Sequence, residues 1–219
     1  MKYSNEVELG EQVVAYLEER QWTVYQEVSA LGRTADIVAV MDGRVWTIEC
    51  KLSFSLRVLE QAVGWRRYSH WVSVAVPTPS AARAFNRRVA AMFGCGVLGC
   101  SLRHEVVCRE YVPAHLLRKA YVEPITKHLD EKMRTFAKAG NASGKRWTPF
   151  MRTCSNITEY VRRNPGCTLK QLLDNIPHHY ASRSSARSSL SYWLRMGKVP
   201  GVVCSTDGHL TLRLRRLRR

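Results

Sequence analysis

Apolar residues at Val7, Leu9, Val13, Val14 and Leu17, with charged side chains between them, predict an amphipathic helix over 5–20. WTVYQEVSA (22–30) alternates and predicts a strand. ADIVAV (35–40) and RVWTIECKL (44–52) predict two more, joined at Met41-Asp42-Gly43-Arg44, a strong hairpin signal. Helical periodicity returns over 55–69, HWVSVAVP predicts a buried strand stopped by Pro77, and residues 79–94 open on Pro and close on Gly as a helix. GVLGCSL and EVVCREYV predict shorter strands. The expected order is α-β-β-β-α-β-α-β-β, an α/β domain over 1–112 with a mixed sheet flanked by helices.

The strand pattern stops after residue 112, and 113–147 reads as a helical linker broken by Pro124, closing in the small-residue loop AGNASGKR. Over 148–214, SNITEYVRRN, TLKQLLDNI and ASRSSARSSLSYWLRMG predict three helices. KVPGVVCSTDGHLTLRL adds two short strands around Thr206-Asp207-Gly208. Helix, helix, helix and β-wing is a winged helix-turn-helix pattern, and residues 215–219 form a basic tail.

The hairpin carries an electrostatic oddity. A two-residue type I′ turn at Asp42-Gly43 pairs positions whose numbers sum to 85, which sets Asp36 opposite Glu49 on one face, with Cβ atoms about 5 Å apart. Lys51 follows Glu49 on the same face. Like charges across a ladder destabilise it, so protonation, pairing with Lys51 or a bound cation must compensate. A hard ion such as Mg²⁺ takes a few carboxylate oxygens plus water, and a neighbouring ammonium can hold water or face charge developing on a phosphate. An exposed edge hairpin with a plain carboxylate–lysine bridge satisfies the same spacing.

Charge is distributed unevenly. The chain carries net +16, of which +12 falls in 145–219 and +4 in 1–144. That asymmetry favours a polyanion partner, DNA above all, for the C-terminal part. In ASRSSARSSLSYWLRMG, Ala186, Leu190, Trp193 and Leu194 take core-like positions, leaving Arg183, Ser184, Arg187, Ser188 and Arg195, with Lys198 beyond, to contact phosphates and base edges. No apolar run approaches a membrane span, and the polar N-terminus does not read as a signal peptide, so a cytoplasmic protein without a membrane partner is expected. The seven cysteines form no C-x-x-C pair, which argues against zinc and for reduced, mostly buried thiols. Adjacent His178 and His179 point apart and suit a structural role better than joint metal binding.

Asp36 followed by Glu49-Cys50-Lys51 resembles the D…(D/E)-x-K signature of the PD-(D/E)XK nuclease superfamily, the restriction-endonuclease-like fold, and the order of elements over 5–92 matches its core. Ala35 stands where the nominal proline would be. The three-residue motif is short, and the order of elements strengthens it. The resemblance implies a metal-dependent deoxyribonuclease, with Mg²⁺ (or Mn²⁺) held by Asp36, Glu49 and the Cys50 carbonyl, and Lys51 assisting the water nucleophile. It implies a catalytic role for Gln61 in the following helix, with Tyr68 on the same helical face. It also implies an additional acidic residue on the first helix, where Glu6, Glu8 and Glu11 compete and Glu11 is taken; Glu27 on the first strand is a further candidate. No small-molecule cofactor is expected. Homodimers, junction-resolving enzymes of the same superfamily and a catalytically inactive DNA-binding regulator stay open as alternatives.

Overall fold

A computed structural model describes residues 3–102 and 108–212, which fall in two compact units, 1–147 and 148–219. Residues 105–107 of the expected strand and the basic tail lie outside the described residues.

In the first unit, α1 (Glu6–Glu18) starts where the Asn5 side chain accepts the Glu8 N–H at 3.0 Å. Leu9, Val13 and Leu17 on its inner face are fully buried. They pack on a sheet of six strands in chain order: β1 (Thr23–Ala30), β2 (Arg33–Met41), β3 (Arg44–Cys50), β4 (Trp71–Pro77), β5 (Gly96–Cys100) and β6 (Cys108–Val112). The sheet is mixed: β3–β4 and β4–β5 are parallel, the other neighbours antiparallel. Ile37, Ala39, Trp46, Ile48 and Cys50 meet the α1 face. α2 (Leu56–Val63) contacts β3 and β4, burying Val58, Leu59 and Ala62. The expected helix over 55–69 is therefore shorter, and Tyr68 lies beyond its end, off the face that Gln61 occupies. The expected helix over 79–94 is two, α3 (Thr78–Ala81) and α4 (Ala84–Met92).

Asp42 (φ 49°) and Gly43 (φ 73°) both adopt left-handed conformations, the type I′ geometry expected at this turn. Pairings from Met41↔Arg44 to Ile37↔Ile48 all follow the sum of 85.

Residues 113–147 belong to the first unit and are less helical than their pattern suggested, holding one turn, α5 (Glu123–Thr126), and a 3₁₀ turn (Glu131–Arg134). Their last stretch is tied to side chains of β1, the edge strand of the sheet. Buried Gln26 donates to the Arg134 carbonyl at 2.6 Å and accepts the Ala139 N–H at 3.0 Å. Two glycines fit this strap to α1. A Cβ at Gly10 would lie 2.7 Å from the Ala139 carbonyl oxygen, and one at Gly140 (φ 77°) would lie 2.8 Å from the Glu6 carbonyl oxygen. Gly140→Val is expected to destabilise the protein by about 2–3 kcal/mol, from a strained φ plus a backbone clash. Thermal unfolding checks the loss, and faster hydrogen exchange at the Ala139 and Asn141 amides locates it.

Cys100 and Cys108 face each other across β5–β6 and form a disulfide, whereas the sequence suggested reduced thiols throughout. Their proximity comes from antiparallel pairing, which cysteine spacing does not report. Cys50, Cys95, Cys154 and Cys167 are free and buried, and Cys204 is half-buried.

The second unit holds α6 (Pro149–Arg163), β7 (Cys167–Thr168), α7 (Leu169–Asn175), α8 (Arg183–Arg195), β8 (Val202–Cys204) and β9 (His209–Leu212), with sheet order β7-β9-β8. Thr148 and Ser182 cap α6 and α8, and Thr168 with Gln171 forms a capping box at α7. Ile157, Val161, Leu172, Ala186, Leu190 and Leu210 are fully buried at its centre, while Trp193 is only partly buried. His179 Nδ1 lies 2.8 Å from the Thr153 hydroxyl and its ring stacks near Tyr180, a packing role. Among the described residues, no helix is long and apolar enough to cross a membrane.

Candidate functional site

The β1–β2 pairings sum to 63 and the β2–β3 pairings to 85, so the two registers bring Glu27, Asp36 and Glu49 into one row across three strands. Both ladders lose their pair at that row: β1–β2 skips Glu27 and Asp36 and resumes at Val28↔Ala35, whereas β2–β3 ends before it. Glu27 has a left-handed φ of 52°. The β2–β3 pairing stops at Ile37↔Ile48, and the Cys50 N–H goes to Asp36 Oδ2 at 2.8 Å instead of to the β2 backbone. The Asp36 side chain thus replaces a ladder bond at the point where the strands part.

Glu49 is buried, 3% exposed, and its Oε1 accepts the Trp65 indole N–H at 2.8 Å. The Asp36 and Glu49 carboxyl groups lie side by side, near enough for the charge of one to act on the other. Burial, then the Asp36 charge, pushes Glu49 up to about 8. Burial also raises Asp36 above the usual carboxylate range, against the Cys50 N–H and the Lys51 charge, which pull it down. Glu27 is pushed up to about 7, first by burial and then by Asp36, although its carboxylate accepts the Asn141 N–H of the strap at 3.2 Å.

Lys51 lies just past the end of β3 and forms an ion pair with Glu6 at the start of α1, both side chains about one-third exposed. Burial lowers its pKa, but the Glu6 hydrogen bond and the charges of Asp36, Glu6 and Glu49 outweigh that and raise it. It is therefore an ammonium throughout the neutral range. The Glu6–Lys51 pair stands at the exposed side of the cluster and the carboxyl pair behind it.

Asp36, Glu49, Cys50 and Lys51 come together, and Glu27 adjoins Asp36. Glu11 does not join them: it pairs with Lys138 at 3.2 Å, both about half-exposed, and Glu6, one helical turn earlier, takes the place expected of it. Gln61 is exposed on α2. The donor to the cluster is Trp65, four residues on, which sequence reasoning missed; the large amphipathic ring just past a helix end, followed by Arg66-Arg67, was its only signal.

Among the described residues, no group of three or more His, Cys, Asp or Glu side chains is arranged to hold a metal ion. A cation here would rest on the Asp36 and Glu49 carboxylates and the Cys50 carbonyl, completed by water. That oxygen set, from one buried and one half-buried carboxyl group, fits a small hard dication such as Mg²⁺.

In the second unit, Ser184, Arg187, Ser188 and Arg195 are exposed on α8, with Lys198 exposed beyond it. Arg183 is not free for a ligand as expected: it forms an ion pair with Asp174 of α7.

Comparison with family models, curated proteins and solved structures finds no match to this chain.

Proposed function

We propose that this protein is a Mg²⁺-dependent DNA endonuclease, with a restriction-endonuclease-like first unit and a winged helix-turn-helix second unit that holds DNA. The observation that carries the reading is the juxtaposition of the Asp36–Glu49 carboxyl pair with the Lys51 ammonium at a parted strand end. A buried and a half-buried carboxyl group side by side cost stability unless a proton or cation lies between them, and such costs are characteristic of functional sites.

Held by Asp36, Glu49 and the Cys50 carbonyl, Mg²⁺ would polarise a phosphodiester as a Lewis acid. Trp65 fixes one Glu49 oxygen, so the carboxylate has a set orientation. Lys51, already protonated, orients the attacking water and faces the negative charge that grows on the phosphate oxygens; it does not take the proton. The water oxygen bonds to phosphorus as the P–O3′ bond breaks, the water proton passing to bulk solvent and a solvent proton ending on the O3′ leaving group. Arg187 and Arg195 on α8, with Lys198 beyond its end, would hold backbone phosphates, while Ser184 and Ser188 offer short donors and acceptors to base edges.

Incubating supercoiled plasmid with the protein and Mg²⁺ tests the reading. The parent is expected to nick or linearise it, and Asp36→Ala to bind DNA without cutting. Equal cutting, or equal failure to cut, by the two proteins sinks the hydrolytic assignment. Equal failure with DNA binding retained would leave a DNA-binding regulator.

A further inference from the structure

Away from the carboxyl cluster, the first unit carries an open groove of about 1000 Å³ between residues 66–67 and the segment 112–120. Arg66, Arg67, His115, Arg118 and Lys119 line it, and no Asp or Glu does. Among the described residues, none of these side chains pairs with a carboxylate. Val112, Ala114 and Leu117 add apolar surface to its lining. Backbone hydrogen bonds hold the walls together: the Leu117 N–H donates to the His70 carbonyl at 2.8 Å, Tyr121 to Arg67 at 2.8 Å and His115 to Gly94 at 3.2 Å. Gly94 (φ 61°) leaves the gap between Arg66 and His115 clear, since a Cβ there would lie 3.1 Å from the His115 Cβ.

Unneutralised cations gathered on a braced surface raise the local potential, and the protein supplies no counter-charge from the groove's own lining. A groove this large and open suits a chain of phosphates better than one small anion. We propose that it is a second nucleic-acid backbone site, separate from α8 and from the cleavage site. The proposal rests on the DNA-processing reading above and deepens it.

Position supports this use. The groove lies at the N-terminal ends of β4 and β5, while Glu49 sits near the C-terminal end of β3, parallel to β4 and paired there with Val74. Val74 is four residues beyond His70, whose carbonyl holds the groove residue Leu117, so roughly 13 Å of strand, or about four base steps along a duplex axis, separates the groove's edge from the cluster. The same connector serves both places: Trp65 turns inward to Glu49, and Arg66 and Arg67 line the groove. A backbone seated there is anchored one short step from the scissile position.

The test uses the full chain, with duplex-DNA affinity measured against salt concentration. In Arg67→Gln/Arg118→Gln/Lys119→Gln, all three changed residues are exposed, so an unchanged melting temperature is expected. The slope of log K against log salt should become shallower by about 2–3, at roughly 0.9 for each phosphate no longer neutralised. Arg118→Gln alone should remove about 1 and serves if the triple variant does not fold, while Arg67→Lys/Arg118→Lys should keep the parental slope. A parent that cuts and binds DNA, with a triple variant of identical slope, overturns the groove alone. A parent that fails to bind DNA overturns the groove and the DNA-processing reading together. Parental stabilisation by inorganic phosphate that the triple variant loses, with no change in DNA slope, identifies a small-anion site and also overturns the proposal.

Discussion

Glu49→Gln is expected to make the protein more stable at pH 8.5 while removing its divalent-cation binding. The folded protein holds the Glu49 proton up to about pH 8, whereas a carboxyl group in the unfolded chain releases it near 4.5. Stability from this group is therefore complete below about pH 4.5, declines as pH rises and is lost once pH passes about 8, at up to about 1.4 kcal/mol per pH unit. Asp36 and Glu27, also raised, act in the same direction. A glutamine cannot ionise, yet it keeps an oxygen for the Trp65 N–H. The variant should therefore gain about 2–4 kcal/mol over the parent at pH 8.5, and much less at pH 5. Denaturant unfolding in EDTA at the two pH values measures the difference, and parallel pH dependence in parent and variant would refute the protonated pair. Calorimetry with Mn²⁺ supplies the other half: parental binding should release close to one proton per ion below about pH 8, and the variant should show no binding.

Lys51→Met is expected to lower the rate of DNA cleavage by about 10²–10³-fold while leaving DNA binding nearly unchanged, the loss typical of a charge that serves the transition state. The pairing with Glu6 sharpens this. Because Glu6 and the cluster raise the Lys51 pKa, the ammonium persists far above neutrality, and the pH–rate profile should show no ionisation of a lysine base near pH 7. Glu6→Gln removes an ion-pair partner and not a catalytic charge, so its effect should be about tenfold or less. Single-turnover cleavage from pH 6 to 9 checks all three. A Lys51→Met protein that cuts at the parental rate would remove Lys51 from the chemistry.

The hairpin was legible in the sequence because a two-residue type I′ turn leaves no freedom of register: once Asp42 and Gly43 take positive φ, every later pair is determined by counting. Identities further from the turn were harder to read. Glu6, Glu8 and Glu11 stand within two turns of one helix, and only the rotation of α1 on its Leu9–Val13–Leu17 stripe selects Glu6 for Lys51. Gln61 fits a spacing, but α2 ends at Val63, and the bend after it turns Trp65 toward Glu49.

By itself the sequence determined the succession of elements in the first unit's sheet, the β2–β3 register and the placement of Asp36 and Glu49 in one row, all consequences of local periodicity and turn chemistry. Tertiary structure alone decided the rest. It set Glu27 beside Asp36 through a second hairpin and used the strap over β1 to bring Gly140 and Asn141 against Glu6 and Glu27, more than a hundred residues away in the chain. It joined Cys100 to Cys108 and gathered Arg66, Arg67, Arg118 and Lys119 around one groove. Local patterns record the face a residue presents, whereas long-range contacts depend on which buried surfaces pack together, and that is settled only when the whole chain has folded.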